Sequence, residues 1–200
     1  MMRTVGIYVF DDVEVLDFSG PFEVFSVANR VAIRGGAEPP FNVVTVARSG
    51  PKITARGGYI FQPSHTFETC PAIDVLLVPG GVVDAEYENP RVIEWITSTH
   101  EQSSLTTSVC TGAFLLAKAG ILDDRSATTH WEDLDDLEQR HPEITVVRDT
   151  LWVDEGDVVT SAGISAGIEM SLHLVRRLVD EDVAELTARQ MEYNWRDDSR

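Results

Sequence analysis

The chain has 200 residues, 43% of them hydrophobic, enough for one globular domain with a sizeable core. A formal net charge of -17, with lysine only at Lys52 and Lys118, excludes a nucleic-acid groove, which needs clustered Lys and Arg against phosphate. No run approaches the ~20 apolar residues of a membrane span, and two cysteines without Cys-x-x-Cys or Cys/His spacing make neither a disulfide framework nor a zinc site.

Residues 3–10 read as a buried first strand. The run is apolar but short, and it meets Asp11-Asp12 where a signal peptide would need small residues, so a cytoplasmic protein is expected. Residues 19–33 predict a helix with Pro21 inside its first turn. The Gly- and Pro-rich residues 34–40 are a loop, and 41–47 the next strand. Gly50-Pro51 and Gly57-Gly58 bracket a small hairpin. Cys70, just before Pro71, reads as structural, and the apolar strand 74–78 stops at Pro79-Gly80-Gly81.

A helix is expected over residues 90–102, a strand ending at Cys110, then helices over 113–119 and 131–140. Strands at 146–147 and 158–160 precede helices over 163–179 and 182–192. Such alternation implies one α/β domain over residues 1–200, a doubly wound, mostly parallel sheet flanked by helices. Reactive groups in these sheets collect at the carboxyl ends of the strands. Asp17, Gly80-Gly81 and Cys110 all fall there.

Cys110 is the most informative of these. It sits in Val109-Cys110-Thr111-Gly112, between a strand-like and a helix-like run. Free amides and the positive end of a helix dipole meet at such a junction and favour thiolate over thiol. A small residue packing in the core is the other reading. Asp17 is either an acid beside the thiol, its pKa raised because two negative groups resist joint ionisation, or a helix cap before Ser19-Gly20-Pro21. His130, beside Trp131, is a pocket residue rather than a base. His65, His100, His141 and His173 show no ligand spacing, so no metal is expected. Trp152, Tyr193 and Trp195 are candidates for a subunit contact.

Six ordered segments resemble the ThiJ/PfpI superfamily, a branch of the class I glutamine-amidotransferase-like fold with a flavodoxin-like arrangement. They are Asp11 to Phe25, Val78-Pro79-Gly80-Gly81, Ser108 to Ala113, Ala127-Thr128-Thr129-His130-Trp131, Ala162 to Glu169, and Gln190-Met191-Glu192-Tyr193. Leu16-Asp17, Gly20-Pro21, Cys110-Thr111-Gly112 and Thr128-Thr129-His130-Trp131 together are most similar to isocyanide hydratases. They are also similar to the amidase-like domain of some AraC-type regulators. The resemblance implies Cys110 as nucleophile and Asp17 as its acidic partner. It implies an oxyanion hole from the amides near Gly81 and Thr111, with Gly80 beside it, a Thr111 hydroxyl that holds substrate or water, and His130 in the pocket. It further implies a homodimer and no cofactor. The turn after Gly81 departs from the hydratase pattern, with Val82-Val83-Asp84-Ala85 in place of a more glycine-rich stretch.

Peptidase-like members carry a histidine directly after the cysteine, where this chain has Thr111, and the amidotransferases need a late His-x-Glu that residues 161–167 lack. The leading expectation is therefore hydration of an isocyanide to an N-substituted formamide. Glyoxalase or deglycase chemistry on the same cysteine is one alternative. A ligand- or redox-sensing domain is the other, with no nucleic-acid binding by itself.

Overall fold

The computed structural model describes residues 2–195. The first half runs β1 (Arg3–Val9), α1 (Val15–Arg34), β2 (Phe41–Ala47), β3 (Ile53–Thr54), β4 (Ile60–Phe61), β5 (His65–Thr66) and β6 (Val75–Val78). Helices α2 (Asp84–Tyr87) and α3 (Pro90–Gln102) lead to β7 (Leu105–Val109), α4 (Gly112–Lys118) and β8 (Ser126–Ala127). The chain continues through α5 (Leu134–Arg140), β9 (Thr145–Val146), β10 (Trp152–Asp154), β11 (Val158–Ser161), α6 (Ala166–Leu178) and α7 (Glu181–Gln190).

Seven strands form the main sheet in the order β10-β11-β7-β6-β1-β2-β5. Every pairing in it is parallel except β10 with β11. Both faces of a parallel sheet are covered, which demands near-continuous apolar strands. Val75-Leu76-Leu77-Val78 of β6 is accordingly wholly buried. The chain steps from β1 to β2 in one direction along the sheet and from β6 to β7 in the other. Right-handed crossovers then put the connecting helices on opposite faces. Helices α1, α6 and α7 pack together, as do α2, α3 and α4. The reversal falls between β1 and β6, where such sheets open a crevice at the strand ends.

Edge exposure of β2 is limited by side chains. Asn29 Oδ1 accepts from the Phe41 N–H (2.9 Å) and its Nδ2 donates to the Phe41 carbonyl (2.7 Å), while Ser64 Oγ accepts from the Thr45 N–H (3.2 Å).

Several boundaries differ from the sequence reading. Helix α1 starts at Val15, so Asp17 lies inside it and Pro21 is its seventh residue, beyond the first turn. The residues before Asp17 carry no glycine or proline to mark the start, and burial of Asp17 and Phe18 extends the helix backward. Residues 131–140 divide into a 3-10 turn at Trp131–Asp133 and α5. Helix α6 begins at Ala166, three residues later than the sequence reading placed it. Strand β10, with its three residues, is too short to leave a periodicity. The aromatic residues expected at a subunit contact are engaged within the chain: Trp152 stacks on His173 (centroids 3.9 Å), Tyr193 donates to Glu169 Oε1 (3.1 Å), and Arg176 lies over Trp195.

Two glycines separate hard from soft packing. A Cβ on Gly112 would stand 2.1 Å from the Val78 carbonyl oxygen, whereas one on Gly6 would meet the Ile73 side chain at 2.4 Å. Backbone cannot move aside as a side chain can. Gly112→Ala should therefore cost well over 2 kcal/mol and Gly6→Ala clearly less, read from urea midpoints of the two variants.

Candidate active site

Strands β1, β6 and β7 are neighbours, so the turns after them meet at one edge. The first two are joined by backbone: Val13 and Gly81 form an isolated bridge, the Glu14 N–H donates to the Gly80 carbonyl (2.9 Å), and the Val82 N–H to the Asp12 carbonyl (3.1 Å). A Cβ on Gly81, at φ +141°, would stand 2.3 Å from the Asp12 carbonyl oxygen. One on Gly80 would stand 2.6 Å from the Thr111 amide nitrogen and 2.9 Å from Cys110 Cβ. These contacts bring Asp17, Gly80, Gly81, Cys110 and Thr111 together.

Cys110 has φ +56°, a left-handed conformation that costs a non-glycine residue on the order of 1 kcal/mol. Its surroundings over-determine it. The Cys110 N–H donates to the carbonyls of Ser161 (3.2 Å) and Ala162 (3.3 Å), and its own carbonyl accepts from Thr129 Oγ1 (2.8 Å). This strand-turn-helix bend presents the sulfur at the sheet edge while leaving the residue only 7% exposed. The backbone amides of Thr111 and Ile164 lie close enough to the sulfur to pull its pKa down. Ile164 is also left-handed, at φ +50°.

Asp17 is completely buried. Its Oδ2 accepts from the Gly80 N–H (3.0 Å), and its Oδ1 has no hydrogen-bond partner by geometry among the described residues, although the carboxyl lies within interaction range of the Cys110 thiol. Burial pushes Asp17 up to about 7; the Gly80 N–H and the thiol oppose that rise, and Glu14 adds to it. Burial, rather than repulsion from a second acid, is thus the main cause. The thiol moves too: burial first, and the Asp17 carboxyl second, push Cys110 up to about 12 against the pull of the Thr111 and Ile164 amides. The amides of the turn pull toward thiolate, as expected, but burial and the neighbouring carboxyl outweigh them. Each group resists ionisation beside the other.

Two expected donors have other duties. The Gly80 N–H serves Asp17 and the Gly81 N–H donates to Thr111 Oγ1 (2.9 Å), while the Thr111 hydroxyl donates back to the Gly81 carbonyl (3.0 Å). The amides that act on the Cys110 sulfur are those of Thr111 and Ile164. The Ile164 amide was not legible in the sequence, because its direction depends on a left-handed residue.

His130 lies at the side of the site. A Cβ on Gly163 would stand 2.0 Å from His130 Cδ2, so the ring packs directly over the residue before Ile164. Its Nδ1 is 3.4 Å from Asp133 Oδ2 and accepts from the Glu132 N–H at 3.4 Å. Asp133 was missed by the sequence reading, yet its charge reaches Cys110 and contributes to the raised thiol. Exposed apolar side chains stand next in sequence to the site residues: Leu16, Val82 and Trp131, with Ile164 itself. A cavity of about 560 Å³, lined in part by Thr129, Trp131 and Ala162, adjoins the backbone that holds Cys110.

Asp17→Asn removes the buried charge and keeps an acceptor for Gly80. Cys110 should then alkylate with iodoacetamide several-fold faster at pH 8, its pH profile displaced downward. Stability carries the same signature. A carboxyl at 3.8 when unfolded and about 7 when folded loses stability as pH rises through that window. The variant should therefore match the parent near pH 4 and exceed it at pH 8 by on the order of a few kcal/mol, read from denaturation midpoints.

The sequence model of the DJ-1/PfpI family matches residues 3–177. The chain is 35% identical to isonitrile hydratase of Pseudomonas putida over 196 residues, 96% of this chain and 79% of that one. It is 25% identical over 88% of its length to the HTH-type transcriptional regulator GbdR of Pseudomonas aeruginosa, and spans 46% of that protein. Among solved structures, a ThiJ/PfpI family protein from Pseudomonas syringae superposes with TM-score 0.85 at 26% identity, covering 99% of this chain and 78% of the other. Drosophila melanogaster DJ-1beta shares the fold at TM-score 0.82 and 18% identity, covering 98% and 100%. With its family match over most of its length, and a cysteine held on a left-handed turn at the edge of a doubly wound sheet, the chain belongs to the DJ-1/PfpI family.

Proposed function

We propose that the protein hydrates isocyanides to N-substituted formamides, with Cys110 as nucleophile and Asp17 as the proton carrier. The observation that carries this reading is the buried Cys110–Asp17 pair, with the carboxyl held by the Gly80 N–H and the cysteine on a left-handed turn beside it. The 35% identity to isonitrile hydratase over 96% of the chain supports the substrate class.

Cys110 Sγ attacks the terminal carbon as Asp17 accepts the thiol proton, so no free thiolate has to exist beforehand. Asp17 then delivers that proton to the same carbon, giving a thioimidate, R–N=CH–S–Cys110. Water adds to this carbon, the C–S bond breaks, the formamide leaves and the thiol is restored. Water is consumed once and no electrons are exchanged. The Thr111 and Ile164 amides hold negative charge on sulfur as it departs. Gly80 and Gly81 act through Asp17 and Thr111, fixing their positions. The steps run on side chains and water in a cytoplasmic homodimer.

A second reading, a small-molecule-sensing domain, is favoured by the likeness to GbdR. Incubation with an alkyl isocyanide separates the two. The parent should release formamide, Cys110→Ala should lose activity by at least ~10³-fold, and Asp17→Asn by at least ~10²-fold. A parent that releases none, while its thiol still alkylates, would favour sensing. An active Cys110→Ala would remove the nucleophile assignment.

A further inference from the structure

We propose that the cleft between the turn after β8 and the loop before β10 is a second ligand site, which takes a small organic ammonium ion with an apolar or aromatic body. The proposal stands whether or not Cys110 turns over an isocyanide.

The cleft is the cavity of about 560 Å³ beside the Cys110 backbone. Thr129, Trp131 and Leu134 line it from the chain after β8, Asp149 and Leu151 from the loop before β10, and Ala162 from the end of β11. None of Asp17, Gly80, Gly81, Cys110, Thr111 or Ile164 lines it. What it shares with the active site is support: the Thr129 hydroxyl donates to the Cys110 carbonyl (2.8 Å), and the Ala162 carbonyl accepts from the Cys110 N–H (3.3 Å). The cleft is therefore walled by what holds Cys110, and not by its sulfur.

Two of its residues are left unexplained by folding. Trp131 is 73% exposed, more than any other large hydrophobic side chain among the described residues. Its one ring contact among them is a tilted one with His130, centroids 5.7 Å apart, so most of the indole is open to a ligand. Asp149 is exposed too, and its carboxylate makes no ion pair or hydrogen bond among the described residues. The adjacent Arg148 does not neutralise it, because that guanidinium donates to Asp135 Oδ1 (2.7 Å) and Glu138 Oε2 (2.9 Å). Other polar groups of the cleft are committed: the Thr129 hydroxyl to Cys110, and the Thr150 hydroxyl to the Trp152 carbonyl (2.9 Å).

An unpaired carboxylate and an open indole in one cleft, with Leu134 and Leu151 in its walls, are complementary to a cation that has an apolar body. Ammonium N–H groups can bond the carboxylate, while the adjoining carbons lie on the indole, whose face attracts positive charge. A metal ion is a poorer match, since no group of three or more His, Cys, Asp or Glu side chains suited to one occurs among the described residues. The net charge of -17 draws any cation toward the protein, so a test has to separate the cleft from general acidity.

Isothermal titration calorimetry with benzylammonium as probe, in about 0.15 M salt, makes that separation. Benzylammonium should bind at least ~10-fold more tightly than benzyl alcohol, which has the same ring without the charge. Trp131→Ala and Asp149→Asn should each weaken it about fivefold. Both positions are exposed, so the two variants should keep the thermal midpoint of the parent. Asp136→Asn, which removes an exposed acid of α5 outside the cleft, should leave the affinity unchanged. Benzyl alcohol binding as tightly as benzylammonium, an equal loss in Asp136→Asn, or parent affinity in Trp131→Ala and Asp149→Asn overturns the proposal. So does a parent that fails to bind benzylammonium.

Discussion

The turns after β1, β6 and β7 approach each other so closely that side chains are excluded from their contact. Gly81 lies against the Asp12 carbonyl, Gly80 against the Thr111 amide, and Gly112 against the Val78 carbonyl. Backbone packed against backbone leaves little freedom for sliding, so the three turns act as one rigid rim. Asp17 and Cys110 inherit their relation from that rim. The Gly80 N–H fixes the carboxyl, the Thr129 hydroxyl fixes the Cys110 carbonyl, and the Thr111–Gly81 clasp locks the turn between them.

Rigidity has an electrostatic consequence. A carboxyl and a thiol held together away from water cannot both lose their protons without a desolvation cost that backbone donors offset only in part. Both groups are therefore pushed up, the carboxyl to about 7. An exposed cysteine at the same bend would be more acidic and more readily oxidised. Sheet and helices serve many chemistries, and DJ-1beta shares them at 18% identity; the groups on the rim decide which one operates.

Much of the architecture was legible because it rests on local pattern. Apolar β-rich runs such as Val75 to Val78 can only be covered strands, and Asn89-Pro90 marks the start of α3, with the Asn89 side chain accepting from the Arg91 N–H. Strand-then-helix alternation leaves few topologies, so Asp17, Gly80 and Cys110 could be assigned to one edge. The start of α1 was less visible, because Pro21 is usually a first-turn residue and here sits deep in a buried helix. Short pairings such as β10 with β11 exist only once the sheet has formed.

The sequence by itself determined the fold class, the parallel core and the identity of the cysteine and acid at the strand ends, since periodicity and turn chemistry are properties of neighbouring residues. Tertiary structure alone decided their protonation, because burial depends on what the rest of the chain places around them. It also decided which amides act on the sulfur: the expected Gly81 N–H donates to Thr111 Oγ1, while that of Ile164, a left-handed residue, lowers the thiol pKa. Asp133 belongs to the same category. Nothing in its acidic surroundings distinguishes it from Asp135 or Asp136 until the turn at Trp131–Asp133 carries it to His130.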